Sequence, residues 1–91
     1  MSTTLYAANL PLSATESTLE LKFAKFGVVL SVRLPNGTAV GTTRRHAFVE
    51  MQTLDDAQRA INALNLAEYD GRLMSVYRAV NGLAAAAKRH E

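Results

Sequence analysis

Two short segments of the chain each separate ring-bearing side chains from aliphatic ones by simple alternation. Residues two apart share a face of a strand, so in Leu5-Tyr6-Ala7-Ala8-Asn9-Leu10 Leu5 and Ala7 point one way and Tyr6 and Ala8 the other. In Arg44-Arg45-His46-Ala47-Phe48-Val49-Glu50-Met51 Ala47, Val49 and Met51 are placed to enter a core, while Arg44, His46, Phe48 and Glu50 face outward. Burying a ring such as Tyr6 or Phe48 contributes about 1.5–3 kcal/mol of transfer free energy. Two rings on a solvent-facing sheet therefore call for a reason.

Between these segments the pattern changes period. After a loop over Pro11 to Ala14, Thr15 is placed to cap a helix running to about Phe26, with Leu19, Phe23 and Phe26 recurring at helical spacing. Gly27 suits its end. Val28 to Leu34 is a β-branched, apolar run read as a strand with Val32 and Leu34 inward and Ser31 and Arg33 outward. Pro35-Asn36-Gly37 is a turn signal, and the small polar residues up to Thr43 predict a hairpin loop. Beyond the second strand segment, Thr53 with Asp56 three residues later marks a helix start. That helix is expected to reach about Leu64, with Leu54, Ala57, Ala60, Ile61 and Leu64 on one face. Asn65 to Gly71 reads as a connection and Leu73 to Val80 as a last strand, with Met74 and Val76 inward and Ser75 and Tyr77 outward.

The order strand-helix-strand-strand-helix-strand implies an α+β, ferredoxin-like β-α-β-β-α-β sandwich. In it two split crossover units place both helices on one face of a four-stranded antiparallel sheet. The other face carries Tyr6, His46, Phe48 and Tyr77.

The 91 residues, 48% of them apolar, suffice for one domain with a modest core. There is no cysteine, hence neither a disulfide nor a thiolate metal site. Nothing calls for a cofactor. Met1-Ser2-Thr3-Thr4 lacks the basic flank and apolar run of a signal peptide, and no stretch approaches the roughly 20 apolar residues that span a bilayer. A cytoplasmic protein without a membrane partner is the expectation. The net charge of +2 changes little, but its distribution does. Arg33, Arg44 and Arg45 oppose only Glu50 from Val28 to Gln52, and Arg72, Arg78, Lys88 and Arg89 oppose no acid from Arg72 to Arg89. Glu16, Glu20, Asp55, Asp56, Glu68 and Asp70 gather at helical or helix-adjacent positions.

Over about residues 3–80 the chain resembles the RNA recognition motif family. Leu5 to Leu10 is similar to the family's hexamer, with its aromatic second position at Tyr6 and its Asn-Leu ending. Arg44 to Met51 is similar to its octamer, with the basic first position at Arg44, small fourth at Ala47, aromatic fifth at Phe48 and aliphatic sixth at Val49. Leu19, Phe23, Phe26-Gly27, Ala57, Ala60-Ile61 and Gly71-Arg72 fall at family spacing. Three positions depart from the octamer: Arg45 replaces a glycine, His46 a Phe or Tyr, and Met51 an aromatic. Met51 is an inward substitution, whereas His46 stands where the family contacts bases or sugar, with less stacking area than a phenyl ring. Lys22 occupies a usually apolar helix position that Leu21 is adjacent to.

The resemblance implies single-stranded RNA as the partner, bound without chemistry. Tyr6 and Phe48 would be stacking platforms, each contributing on the order of 1–3 kcal/mol per base. Arg44 would meet a phosphate, Arg33 and Arg45 would add positive contacts, Tyr77 a third stacking surface, and His46 a contact to base or sugar. Asn9 would fix its loop by hydrogen bonding. Single-stranded DNA and a protein partner stay open alternatives, the latter as an interaction module whose sheet face Arg45 and His46 mark.

Catalysis finds no support. His46 and Glu50 share a face but four residues of strand separate them by roughly 13 Å, and Asp55-Asp56 at a helix start complement the helix dipole. Asn9 lacks the anion-binding loop that a ferredoxin-like enzyme would pair with it. Residues 81–91 form an Ala-rich, basic tail or short helix, marginal on its own. The expectation is a small single-domain protein similar to bacterial RNA-binding proteins rather than a fragment of a larger splicing factor.

Overall fold

The computed structural model describes residues 2–34 and 45–79. Its elements are β1 (Thr3–Leu10), α1 (Glu16–Ala24), β2 (Val29–Arg33), β3 (Arg45–Met51), α2 (Leu54–Leu64), β4 (Glu68–Tyr69), β5 (Arg72–Leu73) and β6 (Ser75–Arg78). Four strands form one sheet in the order β2-β3-β1-β6, and every neighbouring pair is antiparallel. The two strands that alternate rings with aliphatic residues are therefore central and adjacent, as their pattern predicts.

One side of this sheet is the core. Leu5, Ala7 and Leu10 of β1, Ala47, Val49 and Met51 of β3 and Val76 of β6 are buried together with Leu19 and Phe23 of α1 and Ala57 and Ala60 of α2. Both helices thus lie on the same face. Leu10 breaks the parity of Leu5 and Ala7 because the β1–β3 register shifts between Ala7 and Leu10. Asn9 absorbs the shift at φ 60°, a left-handed conformation that asparagine tolerates better than most residues. Its amide then ties the bulge down: Nδ2 donates to the Leu73 carbonyl at 2.8 Å and Oδ1 accepts from Arg72 Nη1 at 3.2 Å.

Thr15 caps α1 in a reciprocal box, its Oγ1 accepting from the Thr18 amide at 3.1 Å while its own amide donates to Thr18 Oγ1 at 3.0 Å. The Thr18 hydroxyl also pairs with the buried Tyr69 hydroxyl at 2.7 Å. Lys22 holds its usually apolar position by laying its ammonium 4.3 Å from the Tyr69 ring centroid, and Leu21 remains exposed. The Thr53 hydroxyl caps α2 by accepting from the Asp56 amide at 3.1 Å.

Four features differ from the sequence reading. α1 ends at Ala24 rather than about Phe26, whose amide closes a tighter turn onto the Phe23 carbonyl. Leu54 is exposed at the first position of α2, since only the following turns reach the sheet. The connection from Asn65 to Gly71 contains part of a second, two-stranded ribbon, β4–β5. Asp70 and Gly71 turn it at φ 49° and 87°, the positive pair that a two-residue hairpin requires. Leu73 consequently belongs to the ribbon, and the last sheet strand begins at Ser75. The expected loop from Pro35 to Thr43, Arg44, Val80 and the tail over 81–91 lie outside the described residues.

Candidate functional site

The face of the sheet opposite the helices carries two cross-strand rows. Arg33 pairs with Phe48, Phe48 with Tyr6 and Tyr6 with Tyr77, so a guanidinium and three rings cross all four strands in one line. Two residues along β3, Ser31 pairs with Glu50 and Glu50 with Thr4. Antiparallel pairing at about 4.8 Å between strands makes such rows continuous.

The rings touch. Tyr6 stands at 5.3 Å from Phe48, 5.3 Å from Tyr77 and 5.6 Å from His46, centroid to centroid, at tilts of 42°, 48° and 35°. His46 and Phe48 meet edge to face at 5.9 Å. These tilted contacts suit rings whose faces are negative and edges positive, and none of them is a parallel face-to-face stack. His46 and Tyr77 are exposed, and Tyr6 and Phe48 are partly shaded by their neighbours. Partial burial pushes the Tyr6 phenol above its ordinary value, and the neighbouring Tyr77 hydroxyl adds to the shift. The Arg33 guanidinium lies 5.4 Å from the Phe48 centroid, within cation–π range.

Of the seven residues singled out from sequence, Tyr6, His46, Phe48, Tyr77 and Arg33 come together on this face. Arg45 opens β3 opposite Leu10, one residue out of step with His46 and Phe48. Arg44 is outside the described residues. Neither Glu50, too far along β3 to pair with His46, nor Thr4, which no motif marks, is among those seven. The structure puts both at a pocket of about 180 Å³ with Ser31, Arg33 and Phe48. The signal was present in the alternation, which places Glu50 beside Phe48 on the outward face. Asn9 belongs to the β1 bulge and serves the fold. Among the described residues, no group of three or more His, Cys, Asp or Glu side chains could hold a metal ion, and no helix is long and apolar enough to cross a membrane.

Residues 5–75 match the model of the RNA recognition motif family. This chain belongs to that family. Among relatives, a Nostoc protein, RbpD, which carries an RNA-binding designation, is 44% identical over 78 residues, covering 84% of this chain and 81% of its own. The crystal structure of RNA-binding protein PG1 superposes with a TM-score of 0.74 at 33% identity, covering 87% of this chain and 95% of its own. The Sex-lethal protein in its complex with RNA gives a TM-score of 0.70 at 33% identity over 82% of this chain and 46% of that one.

Proposed function

We propose that this RNA recognition motif binds single-stranded RNA on the open face of its sheet and does so without chemistry. The observation that carries the reading is the unbroken line Arg33–Phe48–Tyr6–Tyr77 on the face opposite both helices. Aromatic rings in this setting offer platforms for unpaired bases. Tyr6 and Phe48 each take one base, Tyr77 extends the platform, and His46 adds a smaller ring beside them. Arg44 and Arg45 meet phosphates, and Arg33 adds a positive contact at the edge of the platform. The Sex-lethal complex with RNA and the RNA-binding designation of RbpD support the choice of RNA over another flat ligand. Residues 3–80 act as the binding unit, with residues 81–91 as a basic extension, and the setting is cytoplasmic.

The test is a double substitution. Tyr6→Ala with Phe48→Ala should weaken binding to a pool of single-stranded RNA oligomers by roughly 2–6 kcal/mol if the two stacking contributions add. Thermal unfolding should change far less, because neither ring belongs to the buried core. Wild type should also prefer single strands to matched duplexes, whose bases are already stacked. A folded double mutant with wild-type affinity for single strands would turn the sheet face into a protein-binding surface instead.

A further inference from the structure

Glu50 is the one acidic side chain on the four strands of the sheet among the described residues. A carboxylate repels phosphate, so its presence beside a nucleic-acid platform calls for a base rather than backbone at that point. Its two oxygens are held apart in role: Oε2 accepts from Ser2 Oγ at 2.6 Å and Oε1 from Ser31 Oγ at 3.3 Å. An ionised carboxylate offers about four lone-pair sites. Each Glu50 oxygen therefore keeps room for one more donor, and the two serines orient the pair.

Glu50 lines the 180 Å³ pocket with Thr4, Ser31, Arg33 and Phe48. A base stacked on Phe48 meets two opposite chemistries there. Arg33, which forms no salt bridge among the described residues, supplies donors. Glu50 supplies two adjacent acceptors. Guanine alone among the four bases presents two adjacent donors, N1–H and the 2-amino group, next to the acceptors O6 and N7. Adenine and cytosine would turn a ring-nitrogen lone pair toward one carboxylate oxygen, and uracil would flank its single N–H with carbonyl oxygens. We infer that the Phe48 position is a guanine subsite, with the Glu50 carboxylate accepting from N1–H and the 2-amino group and Arg33 facing O6 and N7. This inference rests on the RNA-binding reading above and adds base identity to it.

The experiment compares three uridine hexamers, each with one substituted residue: guanosine, adenosine or inosine, which lacks only the 2-amino group of guanosine. Affinities are measured by fluorescence titration for the whole chain and for Glu50→Gln. The guanosine oligomer should bind wild type at least about fivefold more tightly than the adenosine oligomer, the lower end for a bidentate base contact, and more tightly than the inosine oligomer. In Glu50→Gln both ratios should fall toward one. Wild-type ratios near one, or ratios that persist in Glu50→Gln, overturn the subsite while leaving RNA binding in place. Failure of wild type to bind any of the hexamers overturns the RNA-binding reading as well. Should Glu50→Gln not fold, as read from its melting curve, the inosine ratio in wild type decides alone.

Discussion

At the scale of single residues, the outward rings hold a compromise between packing and availability. Tyr6 is surrounded by Phe48, Tyr77 and His46 at 5.3–5.6 Å, and this partial burial raises its pKa, with Tyr77 adding to the effect. The unfolded chain releases the phenol proton near pH 10, and the folded chain releases it higher. The stability so gained is full below about pH 10 and is lost as pH climbs through the folded value, because the unfolded state ionises first. Melting temperature should therefore fall more steeply above pH 10 in wild type than in Tyr6→Phe. Equal slopes would show that the phenol is not held neutral by its neighbours. His46 gives a second residue-scale test. A phenyl ring covers more of a base than an imidazole does, so His46→Phe should bind single-stranded RNA more tightly than wild type and His46→Ala more weakly. An unchanged affinity in both would remove His46 from the interface.

Between elements, the joint of α1, β2 and α2 is tighter than the sequence suggests. Gly27 follows α1 at φ 157°, and a β-carbon there would overlap the side chain of Asp56 in the first turn of α2. Asp56 is in turn paired with Arg59, whose Nη2 also donates to the Phe26 carbonyl at 3.3 Å. The start of one helix is thereby clamped to the end of the other. Gly27→Ala should destabilise the fold by about 1–3 kcal/mol through backbone strain alone, and by more through the overlap. Removing the obstacle in an Asp56→Ala background should reduce the penalty of Gly27→Ala in denaturant unfolding, and strict additivity of the two changes would refute the contact. The sequence marked Gly27 as a helix terminator. Its second duty, making room for a residue 29 positions later, has no local signature.

For the whole molecule, the charge pattern predicts how binding responds to salt. Two to four phosphate contacts from Arg44, Arg45 and the basic tail would give a slope of log affinity against log salt of roughly −1.5 to −3, at about 0.7 per phosphate for single strands. Titration from low to high salt checks this, and a slope near zero would favour an uncharged or peptide ligand. The value stays modest because stacking, which carries no counterion release, supplies the rest.

Alternation in Leu5–Leu10 and Arg44–Met51, helical spacing at Leu19 and Phe23, and the caps at Thr15 and Thr53 were enough to determine the two central strands, the two helices, the core face and the outward position of Tyr6 and Phe48. Each of these is a local property: strand parity and helix period are read from neighbours in the chain. The β4–β5 ribbon was also locally encoded, in Asp70-Gly71, although its strands are too short to show a pattern. Tertiary structure alone decided the rest. The register Arg33–Phe48–Tyr6–Tyr77 and the serines that orient Glu50 bring together residues from four strands. The bond from Asn9 to Leu73, 64 residues away, ties β1 to the ribbon. Which residues share a row depends on strand order and on the β2–β3 register, which shifts between Val29 and Ser31, and neither is a property of neighbours in the chain.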